Sequence, residues 1–321
     1  MLLEIEKLNI ALPVGQARRT VVAEATLAIG DSESVALVGE SGSGKSMTAK
    51  AITRTLPTGA QVQGQIRFGG RDVLTMGGAE IRAVRQRDIA MIYQDPRAHI
   101  NPVRRIDDFL LEGLALYDRR PRRQLLEKVS TLLREVGITE PQRCLRSYPH
   151  QLSGGMLQRV AITAALATDP RLLLADEPTT ALDTTTQAEV VQVLRSLQAS
   201  RGLAMLFITH DLDLAATLCD RTAVMYAGRI VEMQPSFALH ASPRHPYSSG
   251  LLRCRPRVDE RLTTLPVLAG HPTSAYEAGR GCPFAPRCPR RMEICDELLP
   301  ESRRDEQGEV ACHAVACAAE D

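Results

Sequence analysis

The sequence has no tryptophan, and aromatic residues make up only 3% of its 321 positions. Its core must therefore be aliphatic, filled by Leu, Val, Ile and Ala. With 44% apolar residues there is enough for a core of ordinary size. No run of 18 or more apolar residues occurs, which excludes a membrane-spanning helix of the usual length. The first residues, Met-Leu-Leu-Glu-Ile-Glu-Lys, lack the basic and apolar regions of a secretory signal, so the chain is predicted to remain in the cytoplasm. An excess of one charge is missing too. Lys and Arg number 39 against 38 Asp and Glu, a net charge of +1, and the signs are interspersed. That argues against a strongly electrostatic partner such as duplex DNA. No internal repeat or low-complexity tract stands out, and the length predicts about two domains.

What is present is concentrated in short polar motifs at the ends of apolar runs. The run Ser34-Val35-Ala36-Leu37-Val38 reads as a buried strand, followed by Gly39-Glu-Ser-Gly-Ser-Gly-Lys45-Ser46 and a predicted helix over 47–54. A G-x-x-x-x-G-K-S turn between strand and helix is a phosphate cradle. Its glycines, Gly39, Gly42 and Gly44, and Ser41 let backbone N–H groups turn onto phosphate oxygens, and the helix N-terminus adds its positive end. Lys45 would reach the β- and γ-phosphates, and the Ser46 hydroxyl would ligate Mg²⁺. A second apolar run, Leu172-Leu173-Leu174-Ala175, ends in Asp176-Glu177. Such a run is a central parallel strand, and its C-terminal edge is where ligands bind in open α/β sheets. Asp176 there would hold Mg²⁺ through water, and Glu177 would act as general base on the attacking water.

Between these two stands Leu152-Ser153-Gly154-Gly155-Met156, with Gln158-Arg159 following, ahead of a helical run over 160–167. Gln94 follows the strand Ile89-Ala90-Met91-Ile92-Tyr93, Ala181-Leu182-Asp183 follows the acidic pair, and His210 follows Ala204-Met205-Leu206-Phe207-Ile208-Thr209. Taken in this order, the set resembles the ATP-binding cassette (ABC) ATPases over residues 1–233. The resemblance implies that Ser153, Gly154 and Gly155 form the signature sequence, Gln94 the Q-loop ligand to Mg²⁺, Asp183 the D-loop and His210 the γ-phosphate switch. It implies a RecA-like P-loop α/β core with an inserted helical subdomain, here about 96–158. It also implies that the signature of one chain closes on the P-loop of a second. Two departures stand out. The signature ends in Met156 where Gln is usual, and no aromatic precedes Phe68 to stack on adenine. Arg18, Arg19 or Val21 would have to cover the base.

After residue 233 the texture becomes rich in Pro, Arg and Cys. His245-Pro246-Tyr247 and Cys282-Pro-Phe-Ala-Pro-Arg287-Cys288-Pro289 resemble the C-terminal extension of importer ATPases of the oligopeptide, dipeptide and nickel group, as does Asn101-Pro102-Val103. The extension is predicted as a separate small domain, 234–321. Four of the eight cysteines, Cys282, Cys288, Cys295 and Cys312, fall in it with little core of their own. A metal centre would staple such a segment. Four thiolates suit a [4Fe–4S] cluster, and related importer ATPases carry one. Zn²⁺, with His313 replacing a cysteine, and plain buried thiols are the alternatives, since the spacing lacks the C-x₂-C pairs of zinc ribbons.

The resemblance implies an ATPase that powers peptide import from the cytoplasmic face of the membrane. Its expected partners are a second, related ATPase chain, two permeases and an extracytoplasmic binding protein. Nickel or a metal–chelator complex is the alternative cargo. A DNA-repair or chromosome ATPase is the alternative class, disfavoured because no coiled-coil or zinc-module insertion separates the motifs.

Overall fold

The computed structural model describes residues 1–180, 182–254 and 267–317; Ala181 of the predicted D-loop lies outside them, as do the side chains of Ala316 and Cys317. The chain divides into two compact units, one of residues 1–29, 35–74 and 208–321, the other of residues 30–34 and 75–207.

The first unit holds two sheets. Alternating residues in Leu3–Val14 and Ala17–Ile29 face a core, and these strands form an antiparallel sheet with Gln61–Phe68 and Arg71–Asp72 in the order Ala17–Ile29, Leu3–Val14, Gln61–Phe68, Arg71–Asp72. The strand Ser34–Val38 is buried at every position and pairs in parallel with Arg221–Tyr226. Arg229–Pro235 returns antiparallel beside it. Part of the extension adds to this edge. A hairpin of the extension, Arg303–Asp305 and Gly308–Val310, adds two more strands onto Arg229–Pro235. The exposed N–H and C=O row of that strand is paired by the extension, which gives the cysteine-rich segment a fixed place without a large core of its own. Arg244 clamps the hairpin turn with two hydrogen bonds to the Asp305 carboxylate, 2.9 and 2.6 Å.

The second unit contains the parallel strands Ile89–Ile92 and Leu172–Asp176 in register, with Ala204–Thr209 next in order, and the helices between 96 and 166. All five residues of Leu172–Asp176 are buried, as its unbroken apolar run requires. Helix ends shift from the sequence expectation for local reasons. Lys45–Ile52 is capped by the last glycine of the loop, Gly44, and so begins two residues before the predicted 47. Thr184–Arg201 runs until Gly202 caps it in the left-handed region at φ 60°. Gly154–Leu166 begins at the two signature glycines rather than at 160. A serine cap outweighs the low helix propensity of those glycines.

Candidate functional site

In the first unit, the loop after Ser34–Val38 has the backbone its glycines were expected to supply. Gly42 and Gly44 sit at φ 80° and 108°, a region that costs any side chain. Gly39 has a second reason: a Cβ there would stand 2.2 Å from the Met225 carbonyl oxygen. Helix Lys45–Ile52 starts with no side-chain cap, which suits its N-terminus to a phosphate. Lys45 is 5% exposed, and its ammonium donates to the carbonyls of Gly39 and Glu40 at 2.7 and 2.9 Å. His210 is exposed at the end of Ala204–Thr209. Its neighbour Asp211 caps the next helix, Leu212–Leu218, by accepting from the Asp213 and Leu214 N–H groups.

In the second unit, Asp176 is buried at the end of its strand. Glu177 follows with φ 46°, a left-handed conformation that costs a non-glycine residue about 1–3 kcal/mol and clusters at functional sites. The carboxylate is held in this pose. The Thr180 hydroxyl donates to Oε2 at 2.9 Å and the Gln94 amide at 3.3 Å. Gln94, 83 positions away in sequence, is thus brought onto the same Glu177 oxygen as Thr180. Ser153 caps helix Gly154–Leu166, its Oγ accepting the Met156 N–H at 3.2 Å. Gly155 is required by packing: a Cβ would lie 2.4 Å from Thr186 Cγ2. Asp183 caps Thr184–Arg201, accepting from the Thr186 N–H at 3.0 Å and its hydroxyl at 2.7 Å, and these bonds hold its carboxyl below the usual range. Arg159 donates to the Val136 carbonyl and pairs with Glu189 at 2.7 Å. It ties the signature helix to the C-terminal end of Arg122–Glu135 and to the body of Thr184–Arg201.

Of the four extension cysteines, Cys295 is buried and Cys282, Cys288 and Cys312 are part-buried. Burial pushes the Cys282 thiol up to about 11, and the charges of Cys295, Cys312 and Cys288 push the same way. Cys288 and Cys312 are raised as well, chiefly by burial. Among the described residues, no group of three or more His, Cys, Asp or Glu is close enough to be assigned to a metal ion. His313 Nε2 instead pairs with the Leu298 carbonyl at 3.0 Å. Cys144 and Cys219 are buried and their thiols are pushed up by burial, consistent with plain packing.

Sequence reasoning missed three residues around the first unit's loop. Arg287 pairs with Glu40 at 2.7 and 3.0 Å. The Tyr247 hydroxyl accepts the Glu40 N–H at 2.9 Å. Tyr276 carries the Arg19 guanidinium 4.6 Å above its ring. Arg287 and Tyr247 both stand inside quoted motifs, and an Arg among prolines, Phe and Cys was the available signal.

Residues 22–180 match the ABC transporter family, and residues 231–295 match the oligopeptide/dipeptide transporter C-terminal region. The chain is 39% identical to the oligopeptide transport ATP-binding protein OppD of Salmonella typhimurium over 300 residues, 94% of this chain and 90% of that one. It is 40% identical to the dipeptide transport ATP-binding protein DppD of Bacillus subtilis over 283 residues, 87% and 84% of the two chains. The fold is similar to a dimeric ATP-binding cassette, MJ0796, bound to ADP and Pi after hydrolysis. Its TM-score is 0.64 at 25% identity, covering 73% of this chain and 98% of that one. With phosphate loop, signature and extension all in place, the chain belongs to the family of ABC transporter ATPases, in the group that carries the oligopeptide/dipeptide transporter C-terminal region.

Proposed function

We propose that this chain is the ATP-hydrolysing subunit of an importer that carries oligopeptides or dipeptides across the cytoplasmic membrane, acting at its cytoplasmic face. The observation that carries this is identity of about 40% along nearly the whole chain, extension included, to peptide-transport ATP-binding proteins. No helix among the described residues is long and apolar enough to cross a membrane, so permease chains must supply the pathway. Val103 and Leu116, 79% and 72% exposed, are large apolar residues of the Gln94–Leu116 region that would face them. A second ATPase chain and an extracytoplasmic binding protein complete the assembly, and the dimeric fold neighbour supports the pairing. The test is uptake of labelled di- and oligopeptides by cells with and without this gene. Loss of nickel uptake with peptide uptake intact would refute the cargo and leave the ATPase standing.

In hydrolysis, Lys45 and the loop glycines would hold the phosphates, and Ser46, Gln94 and Asp176 would hold Mg²⁺, which would neutralise charge on the phosphate oxygens. Glu177 takes a proton from water as the water oxygen bonds to the γ-phosphorus and ADP leaves. The strained, doubly held Glu177 supports that role, because a general base must be positioned before it is basic. His210 would contact the γ-phosphate. Ser153, Gly154 and Gly155 would face the nucleotide of the second chain. Arg19, backed by Tyr276, offers a flat cationic face for adenine where the usual aromatic is lacking.

The four cysteines of the extension would be the ligands of a [4Fe–4S] cluster, with a single Zn²⁺ as the alternative; the reading rests on four thiols in one short segment, since no group of three or more His, Cys, Asp or Glu that could hold a metal ion is gathered among the described residues. When bound, the cluster would cross-link the extension and offer a one-electron couple.

A further inference from the structure

Glu40, the second residue of the phosphate loop, is held from three directions within the first unit. Its backbone N–H donates to the Tyr247 hydroxyl at 2.9 Å. Its backbone carbonyl accepts from the Lys45 ammonium at 2.9 Å. Its carboxylate receives both arms of the Arg287 guanidinium, at 2.7 and 3.0 Å. Tyr247 and Arg287 both belong to the extension, one in His-Pro-Tyr and the other immediately before Cys288.

Arg287 is itself fixed. Its side chain is 2% exposed against 24% for Glu40. Its Nε donates to the Ala269 carbonyl at 2.9 Å and one arm reaches the Tyr226 hydroxyl at 3.3 Å. That hydroxyl also accepts the Thr273 N–H at 3.1 Å. Tyr226, Tyr247 and Phe284 pack as an aromatic cluster with ring centroids 4.6 to 5.4 Å apart, and the guanidinium lies 5.8 Å from the Tyr226 ring. In a chain so poor in aromatics, three rings are gathered at this one place. A bidentate, buried Arg–carboxylate pair fixes direction as well as distance, and a planar guanidinium does this where an ammonium does not.

We propose that Arg287 is a positioning residue for ATP binding: the extension uses it, together with Tyr247, as a strut that holds Glu40 and so keeps the phosphate loop in its nucleotide-ready shape. The strut explains why the extension is folded onto the nucleotide-binding unit. Residues 41–44 must present successive N–H groups to phosphate, and the loop is glycine-rich and conformationally loose. Anchoring the residue before them removes alternatives without occupying any group the phosphates need. When only a fraction of chains holds the competent loop, apparent affinity falls by that fraction.

The inference rests on the reading of residues 39–46 as the ATP phosphate cradle, and the experiment separates the two. The full chain is titrated with a fluorescent ATP analogue, and steady-state ATPase is measured in the assembled transporter. Lys45→Ala tests the cradle, and unchanged binding there would refute that reading. Arg287→Gln and Glu40→Gln are each expected to weaken binding about tenfold, raising KM for ATP with kcat within about twofold. The double variant should be no worse than Arg287→Gln alone, because that change already removes the Glu40 pair. Arg287→Lys, which keeps charge but not the fork, should fall between. Glu40→Gln is nearly isosteric at a part-exposed position, so it decides the matter if Arg287→Gln does not fold. Affinity unchanged in Glu40→Gln while Lys45→Ala abolishes binding would overturn the strut, and so would multiplicative losses in the double variant.

Discussion

Ser153 separates a structural role from a functional one within a single side chain. Its Oγ accepts the Met156 N–H and caps Gly154–Leu166. Ser153→Ala removes the acceptor and should cost about 1 kcal/mol, lowering the melting temperature of a unit of this size by about 2–4 °C. Ser153→Asp keeps an acceptor of equal capping rank and adds an anion at a helix N-terminus, worth about 0.3–1 kcal/mol in its favour. The fold should be as stable as the wild type or slightly more so. If the signature faces the γ-phosphate of the second chain, the same carboxylate is set against a like charge. At an effective dielectric of about 20, two unit charges about 4 Å apart repel by about 4 kcal/mol, or about 10³-fold. Ser153→Asp should therefore leave thermal unfolding intact and abolish turnover. In mixed complexes with one phosphate loop disabled at a time, the loss should fall on the site of the other chain. A stable Ser153→Asp complex hydrolysing ATP at the wild-type rate would refute the composite site. Loss confined to this chain's own loop would do the same.

Glu177→Gln should retain ATP binding and cut turnover in the assembled complex by about 10²–10⁴-fold; wild-type turnover would remove Glu177 from the role of base. Tyr276→Ala should raise KM for ATP by stripping the support beneath Arg19, with GTP discrimination falling in parallel; no change in either would put adenine elsewhere. His245 is fully buried, accepts the Tyr247 N–H at Nδ1, and is pushed down by burial from 6.5 to about 3. The unfolded chain binds this proton below pH 6.5 and the folded chain does not. Stability is thus fully present above pH 6.5 and falls by up to about 1.4 kcal/mol per pH unit as pH drops toward 3. Urea unfolding of wild type is compared with His245→Asn; equal slopes between pH 6.5 and 5 would contradict the assignment. Anaerobically purified protein should be brown with about four irons per chain, and Cys288→Ser should release the iron. Because Arg287 adjoins Cys288, the same variant should weaken ATP binding; one zinc and no iron would replace the cluster with a single-ion site.

The α/β core was legible because its signals are local. A buried parallel strand needs an unbroken apolar run, as at Ser34–Val38 and Leu172–Asp176, and a phosphate loop needs glycines at fixed offsets from Lys45. Gly42 and Gly44 have the positive φ that such a loop demands. Helix ends were less legible, because caps such as Ser153 and Gly202 compete with propensity over one or two residues.

Composition and motif order alone determined the family, the type of core and the chemistry each motif residue can supply, since those depend on residue types at short spacing. Only the tertiary structure decided that Gly155 must be small because Thr186 packs on it. The same holds for Gln94 and Thr180 sharing one Glu177 oxygen, and for the extension hairpin completing a sheet edge. It also decided that the extension reaches the phosphate loop. Glu40 and Arg287 are 247 positions apart, and no periodicity or spacing links them. Their pairing follows from where the chain's few aromatic rings pack, bringing a buried guanidinium to a carboxylate that only the folded sheet places within reach.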